Sequence, residues 1–309
     1  MLSMAMPYVR TNRRPSSKKH KFTVQMYSID GKISTSNQNG IRRVRRISSM
    51  IFPLLMTASV NPRGMSGLSV NDITEREGQY LGTLQFYLQH EAISEIVFIE
   101  NSGHDLAAFK SLAAVFPQKR VEFISCDLNG YPREYGKSYG ELLTLDYAAE
   151  HSTRVTEAGG YFKVTGRFPI LNIGKLLAEA QRRQPWELFC DNKDHPIYDW
   201  LHNGWTGHAC DTRFFGVTLE FYRRHFLGRA SELDDSQNRL IEFMFFETAR
   251  KAVSGCSVIR RFKTEPEYAG KAGHIQTALL QVNNYSGFVA KVKRRIRQLG
   301  RWIAPWFWF

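Results

Sequence analysis

The apolar positions of this chain alternate between two spacings. Residues 51–60 form a continuous apolar run that stops at Asn61-Pro62-Arg63-Gly64. Such a run predicts a strand covered on both faces, with Pro53 at its entry. From Asp72 the apolar spacing changes to three and four residues, through Ile73, Tyr80, Leu84 and Tyr87 with Arg76 on the same stripe, which predicts a helix ending near His90. The alternation then repeats. Residues 95–99 read as a strand, 100–103 as a turn, 105–115 as a helix and 121–125 as a strand. A loop with Gly130, Pro132 and Gly136 leads to a helix over 139–150, and the next strand starts at Tyr161 and breaks at Thr165-Gly166. Asn172 is placed to cap a helix carrying Ile173, Leu176, Leu177 and Ala180. Strand and helix at this rhythm predict an α/β fold, a mostly parallel sheet with helices on both faces, whose ligands bind beyond the carboxyl ends of the strands.

Past Leu188 the texture changes. Trp186, Trp200, Trp205, His195, His202 and His208 crowd into a stretch with several Gly and Pro. These rings are either loops that hold a second substrate, where sugars stack on Trp faces, or the core of a subdomain. Asp211 to Gly216 precedes a helix through Leu219, Tyr222 and Phe226. Asp234-Asp235-Ser236 is a capping signal for a long helix with Leu240, Ile241, Met244, Phe245 and Ala249, in which Glu242 and Glu247 lie.

Charge redraws the boundaries. The net charge is +13, yet eleven cations against the single acid Asp30 stand in residues 1–50, and Lys291, Lys293, Arg294, Arg295, Arg297 and Arg301 stand with no acid in 291–309. The body between them is slightly acidic, which disfavours a nucleic-acid-binding body. Residues 1–50 are expected to be mobile in isolation. Cys126, Cys190, Cys210 and Cys256 show no CxxC pair, so neither a disulfide scaffold nor a zinc ribbon is expected, and Cys190 with His195, His202, His208 and Cys210 has no recognised ligand spacing. No apolar run approaches the roughly 20 residues of a membrane-spanning helix. The tail instead joins a basic, helix-compatible segment to Trp302, Trp306, Phe307, Trp308 and Phe309, which suits a helix lying on an anionic membrane surface, or else an aromatic tail packed back on the domain.

The candidate chemistry starts at residues 161–172, YFKVTGRFPILN. Lys163 and Arg167 flank Gly166, delivering two cations and a backbone open to close approach at a strand end, a place for phosphate. The alternative is an ordinary corner with two solvated cations. Gly136-Lys137-Ser138 invites a P-loop reading, but five residues separate Gly130 from Gly136, and Pro132 and Glu134 lie between them. An ATPase is disfavoured, and the absence of GxGxxG after the first strand disfavours a dinucleotide fold.

Leu55-Met56-Thr57-Ala58, the helix with Arg76 and Tyr80, Phe98 to Gly103, Gly136 to Glu141 and Phe162 to Arg167 together resemble GT-A type glycosyltransferases of bacterial surface-polysaccharide synthesis, those of capsule and lipopolysaccharide, over about residues 52–247. The resemblance implies a GT-A-like fold over 51–286, with 51–170 as the nucleotide-binding half and 171–286 as the acceptor half, while the charge pattern sets off a basic segment 1–50 and a membrane-surface tail 287–309. It implies a nucleotide-sugar donor and a saccharide or lipid-linked saccharide acceptor, and a cytoplasmic, peripheral place at the inner face of the cytoplasmic membrane. Related enzymes carry several Asp where this chain has Lys163-Val164-Thr165-Gly166-Arg167, and an Asp-x-Asp metal motif is missing. No cofactor is therefore expected: Lys163 and Arg167, with Thr165 and Gly166, are expected to take the place of Mn2+ or Mg2+ on the diphosphate, while Asp191, Asp194 and Asp127 remain as alternative ligands for such an ion. Thr57, Ala58, Asn61 and Arg76 are expected at the nucleotide, and Glu100 and Asn101 near base or ribose, although Arg76 also reads as a surface charge and Glu100-Asn101 as a polar turn. For a base to take the acceptor proton, Asp211 is preferred over Glu242. The competing class is a noncatalytic membrane- or polyanion-binding scaffold, and a nucleotidyltransferase on a similar sheet is a third reading.

Overall fold

The computed structural model describes residues 52–63, 70, 72–194, 207–252, 257–269 and 288–304. All the described residues lie in the second of two units, Ile47–Phe309. The strands of the second unit are β1 (Leu54–Ala58), β2 (Glu95–Glu100), β3 (Arg120–Ser125), β4 (Gly160–Thr165), β5 (Leu188–Phe189), β6 (Asn192–Asp194), β7 (His208–Cys210), β8 (Phe214–Thr218) and β9 (Val258–Ile259). The α-helices are α1 (Ile73–Gln89), α2 (Ala107–Ala114), α3 (Gly136–His151), α4 (Thr153–Ala158), α5 (Ile173–Arg182), α6 (Leu219–His225), α7 (Ile241–Lys251) and α8 (Phe288–Ile303).

The α/β class with a mostly parallel sheet is what the chain adopts. Seven strands lie in the order β3-β2-β1-β4-β8-β5-β9, and β6 pairs with β7 in a separate ribbon. β1 to β4 are mutually parallel in register, with Thr57 opposite Ile99 on one side and Thr165 on the other. β8 enters antiparallel between β4 and β5.

Both faces of β1 are buried, which is why its sequence is continuously apolar. Leu54, Met56 and Ala58 join Leu84, Tyr87, Phe98, Phe109 and Leu176 on the face covered by α1, α2 and α5. Leu55 joins Val97, Ile99, Leu142, Leu145, Tyr161, Tyr222 and Phe245 on the face covered by α3, α4, α6 and α7.

Three capping and boundary expectations are corrected. Asn172 does not cap α5: its amide takes the carbonyl of Glu265 at 2.9 Å and accepts from Glu267 N at 2.9 Å. Asp234 caps a single 3-10 turn through Ser236 N and Gln237 N, and α7 starts at Ile241, after Leu240, without a side-chain cap. The segment after Asp211 forms β8 before α6 begins. The expectation for the tail meets a helix at Phe288–Ile303, whereas the aromatic residues 305–309 lie outside the described residues. Among the described residues no helix is long and apolar enough to cross a membrane.

Candidate active site

The carboxyl ends of β1, β2 and β4 meet along one edge, and two buried charges shape the exit of β1. Arg76, 4% exposed on α1, donates to the carbonyls of Ser59, Val60 (3.1 Å) and Val70 (3.1 Å). Glu100, fully buried at the end of β2, accepts from Val60 N (2.9 Å), Ser102 N (3.0 Å), His104 N (2.8 Å) and the Ser102 hydroxyl. A guanidinium on the carbonyls and a carboxylate on the amide fix this loop from both sides. Arg76 is thus neither a surface charge nor directed outward to a ligand, and Glu100 is not an ordinary turn residue. Tyr80 adds a bond from Ser59 N at 3.0 Å. Ala58 lies buried with its carbonyl on Asn101 N, and Asn61 donates its amide to Ser102 Oγ.

The structure does not bring Lys163 and Arg167 together. Strand alternation turns Lys163 toward α3, where it has no exposed surface, and its ammonium donates to Glu141, to Thr165 Oγ1 at 3.0 Å and to the carbonyl of Thr212 at 2.7 Å. An ammonium has three donors, and these three acceptors take them, so Lys163 is corrected from a phosphate ligand to an internal partner of Glu141. Arg167 leaves on the α1 side, with Nη1 3.3 Å from Gln79 Oε1 and its guanidinium 5.4 Å from the centre of the Phe168 ring. Gly166 does permit a close approach, but to the chain itself: its amide donates to Thr57 O at 3.0 Å, and a Cβ there would collide with that carbonyl and with the Tyr80 ring.

A polar cluster that the sequence left unassembled lies on the α3 side of the same edge. Asn101 Nδ2 donates to Thr144 Oγ1 at 2.8 Å, Asn129 Nδ2 lies 3.4 Å from Asn101 Oδ1, and Thr57 Oγ1 contacts Val164 O at 3.5 Å. Glu242, in the first turn of α7, sits within the field of Glu141, Asp235 and Lys163. Burial, reinforced by the Glu141 carboxylate, pushes the Glu242 carboxyl up to about 7. Asp211 is held differently. Burial acts to raise it, but Arg213 overcomes that through Nε at 2.8 Å, Nη2 at 2.6 Å and its amide at 3.1 Å, holding Asp211 far below the usual carboxylate range. A carboxylate so engaged is a weak proton acceptor near neutrality.

At the start of α3 the chain supplies its own anion. Asp235 accepts from Lys137 N at 2.8 Å and Ser138 N at 3.3 Å, and Gly136, with φ of 74°, has no room for a Cβ beside it. The helix end that a P-loop would offer to phosphate is thus filled by a carboxylate.

The carboxylates named for a divalent ion are also engaged. Asp127 pairs with Arg63 at 2.6 Å, Asp191 with Arg301 at 2.9 Å, and Asp194 lies 2.8 Å from His208. Among the described residues no three His, Cys, Asp or Glu side chains converge on one point. Trp186 is a core residue, 3% exposed against Phe52, Phe162 and Phe189 with its indole N–H on Ala180 O, and not a platform for sugar. Trp200, Trp205, His195 and His202 lie outside the described residues. A groove of about 550 Å³ opens along α7 past Phe243, Met244, Glu247 and Lys251, and Glu242 does not line it.

No family model and no curated protein sequence matches the chain. Similar solved structures include the inositol-1-phosphate CTP transferase from T. maritima, 10% identical over 79% of this chain and 96% of that one with a TM-score of 0.45. They also include a mannosyltransferase from Pyrobaculum calidifontis in complex with GDP-Man and Mn2+, 14% identical over 82% of this chain and 65% of that one at 0.42. A 4-diphosphocytidyl-2C-methyl-D-erythritol synthase from Anaerococcus prevotii is 14% identical over 81% of this chain and 99% of that one, also at 0.42. At these scores the likenesses assign the chain to no family, and a reading of its chemistry rests on its own residues.

Proposed function

We propose that the protein is a glycosyltransferase that moves a sugar from a nucleotide-activated donor to a hydroxyl of a saccharide or lipid-linked saccharide acceptor, with Glu242 as the general base. The observation that carries this reading is the Glu242 carboxyl, raised to about 7 by burial and by Glu141, within the field of Lys163 near the carboxyl end of β4. A base with that affinity for protons is deprotonated enough at neutral pH to act and basic enough to accept a proton. In the transfer, the acceptor O–H bond breaks and its proton passes to Glu242. The oxygen forms a bond to the anomeric carbon as the bond to the diphosphate breaks, and the nucleoside diphosphate leaves with that electron pair.

The other roles follow the site. The backbone of Ser59, Val60 and Asn61, fixed by Arg76 and Glu100, offers a rigid edge to the nucleotide, with Thr57, Asn101 and Asn129 as polar contacts. Arg167 is the cation assigned to the departing phosphates. Lys163 positions Glu141 and sets the charge felt by Glu242. Asp211 is a structural partner of Arg213. A surface-polysaccharide role and an acceptor carried on a lipid belong to the same proposal, supported by the sequence resemblance.

A panel of nucleotide sugars, followed by calorimetry and by release of nucleoside diphosphate, tests the reading. Saturable donor binding and turnover that Glu242→Gln abolishes while keeping donor affinity support it. Full turnover in Glu242→Gln removes the base, and incorporation of the nucleotide into a sugar phosphate with release of pyrophosphate would make the protein a nucleotidyltransferase instead.

A further inference from the structure

Helix α8 is amphipathic, but it is mounted the opposite way from a helix that packs a soluble core. Its polar side faces the protein. Arg301, 6% exposed, holds Asp191 through two bonds of 2.9 Å and donates to Phe262 O at 3.0 Å. Arg297 pairs with Glu265 at 2.9 Å, Arg294 with Glu267, and Gln298 accepts from Glu265 N at 3.0 Å. Residues 294, 298 and 301 recur at steps of four and three, so these anchors share one stripe. Val292, Ile296, Leu299 and Ile303 recur at four, three and four on the opposite stripe, and the last three are 60%, 59% and 67% exposed. Trp302, 64% exposed, borders that stripe with Lys263 Nζ 5.2 Å from its ring.

We infer that α8 is a docking helix for an anionic lipid bilayer, held parallel to the surface with its apolar stripe in the headgroup boundary. Two observations select lipid over another occupant. The helix carries no acid, and its exposed Arg295 lies beside the apolar stripe, which matches anionic headgroups around an apolar interior. The sequence that follows it, Pro305-Trp306-Phe307-Trp308-Phe309, has the aromatic residues that favour the membrane–water boundary. Nucleic acid would engage the cations and leave the apolar stripe in water. The buried Arg301–Asp191 pair keeps the helix in this orientation, since its release would strand a desolvated charge. This inference does not depend on the transferase reading.

The test is co-sedimentation of the full chain with phosphatidylcholine vesicles with and without phosphatidylglycerol. The expected result is binding to the mixed vesicles at least about tenfold tighter than to phosphatidylcholine alone. Ile296→Glu with Leu299→Glu is expected to weaken it by roughly a hundredfold or more, and the melting temperature should stay within error because both positions face solvent. Loss of binding in Arg301→Gln with Ile296 and Leu299 intact would further support the mounting of the helix. The inference is overturned if the full chain binds neither vesicle or binds only RNA. It is overturned equally if the double variant binds as wild type does. Sedimentation equilibrium covers the remaining case: a dimer of the full chain that the double variant dissociates, without vesicle affinity, assigns the stripe to a second copy.

Discussion

Lys163 and Glu141 form an ion pair that closes the α3 face of the sheet beneath the carboxyl ends of β1 and β4. The lysine has no exposed surface and the glutamate keeps about a quarter of its own, so the pair is nearly dry on one side only. Removing one member of such a pair leaves a desolvated charge, which costs about 3 kcal/mol, whereas replacing both can be close to neutral. Lys163→Met is therefore expected to lose about 3 kcal/mol in urea unfolding, and Lys163→Met with Glu141→Gln to recover most of it. A phosphate-binding lysine would give the reverse pattern: donor affinity lost, stability kept.

Glu242 links the site to pH. Its folded value near 7 lies above that of an unfolded glutamate, so the folded state holds the extra proton between about 4 and 7. Stability from this group is full below the unfolded value and declines as pH rises through 7. Glu242→Gln removes the cost of the buried charge and should raise the melting temperature at pH 8 but hardly at pH 5. Turnover should fall by about 10²-fold or more in the same variant. In the wild type, kcat/KM should climb with pH up to about 7 and then level.

The exit of β1 depends on Arg76 in a way that charge alone does not explain. Its guanidinium reaches three carbonyls that a lysine, as a point donor, cannot serve together. Arg76→Lys should cost about 1–3 kcal/mol and speed amide exchange at Val60 and Asn61 ahead of the sheet. Equal exchange in both proteins would show that Glu100 holds the loop without help.

Much of the sheet was legible because β1 to β4 alternate with helices whose apolar stripes have a clean period, and Asp72 caps α1 through Glu75 N at 2.7 Å as a capping residue should. β8 was not, because Phe214-Phe215-Gly216-Val217-Thr218 is buried on both faces, so it shows no two-residue period, and it runs straight into α6. The site was harder. Lys163 and Arg167 look adjacent around Gly166, yet the strand turns Lys163 inward and the turn after it sends Arg167 to the other face. Glu141 and Thr144 carried one usable signal: they are polar residues interleaved with Leu142 and Leu145 on the helix face that the sheet buries, although only the fold reveals their partners. Asp235 read as a cap and is one, but for α3, a hundred residues upstream in the chain, and no local pattern encodes that pairing.

Gly166 gives a steric test. A methyl group there meets Thr57 O and the Tyr80 ring, both held in place, by Arg76 through Ser59 and by the parallel ladder. Gly166→Ala should cost about 1–3 kcal/mol by overpacking and displace the end of β1, lowering donor affinity along with stability. Stability lost with affinity unchanged would separate this turn from the nucleotide edge.

Asp211 supplies the control for Glu242, since both were candidates for the base and their environments push them apart. Arg213 stabilises the ionised form of Asp211 in the folded state. The contribution is present above the unfolded value near 4 and is lost only as pH falls toward the much lower folded value. Asp211→Asn should therefore be less stable than wild type by a constant margin from pH 8 down to about 5, a margin that shrinks in stronger acid. Its turnover should keep the wild-type rise toward pH 7, because the group that titrates there is still present. A variant that lost that rise while staying folded would return the proton-accepting role to Asp211 and leave the raised carboxyl of Glu242 as a cost of burial alone.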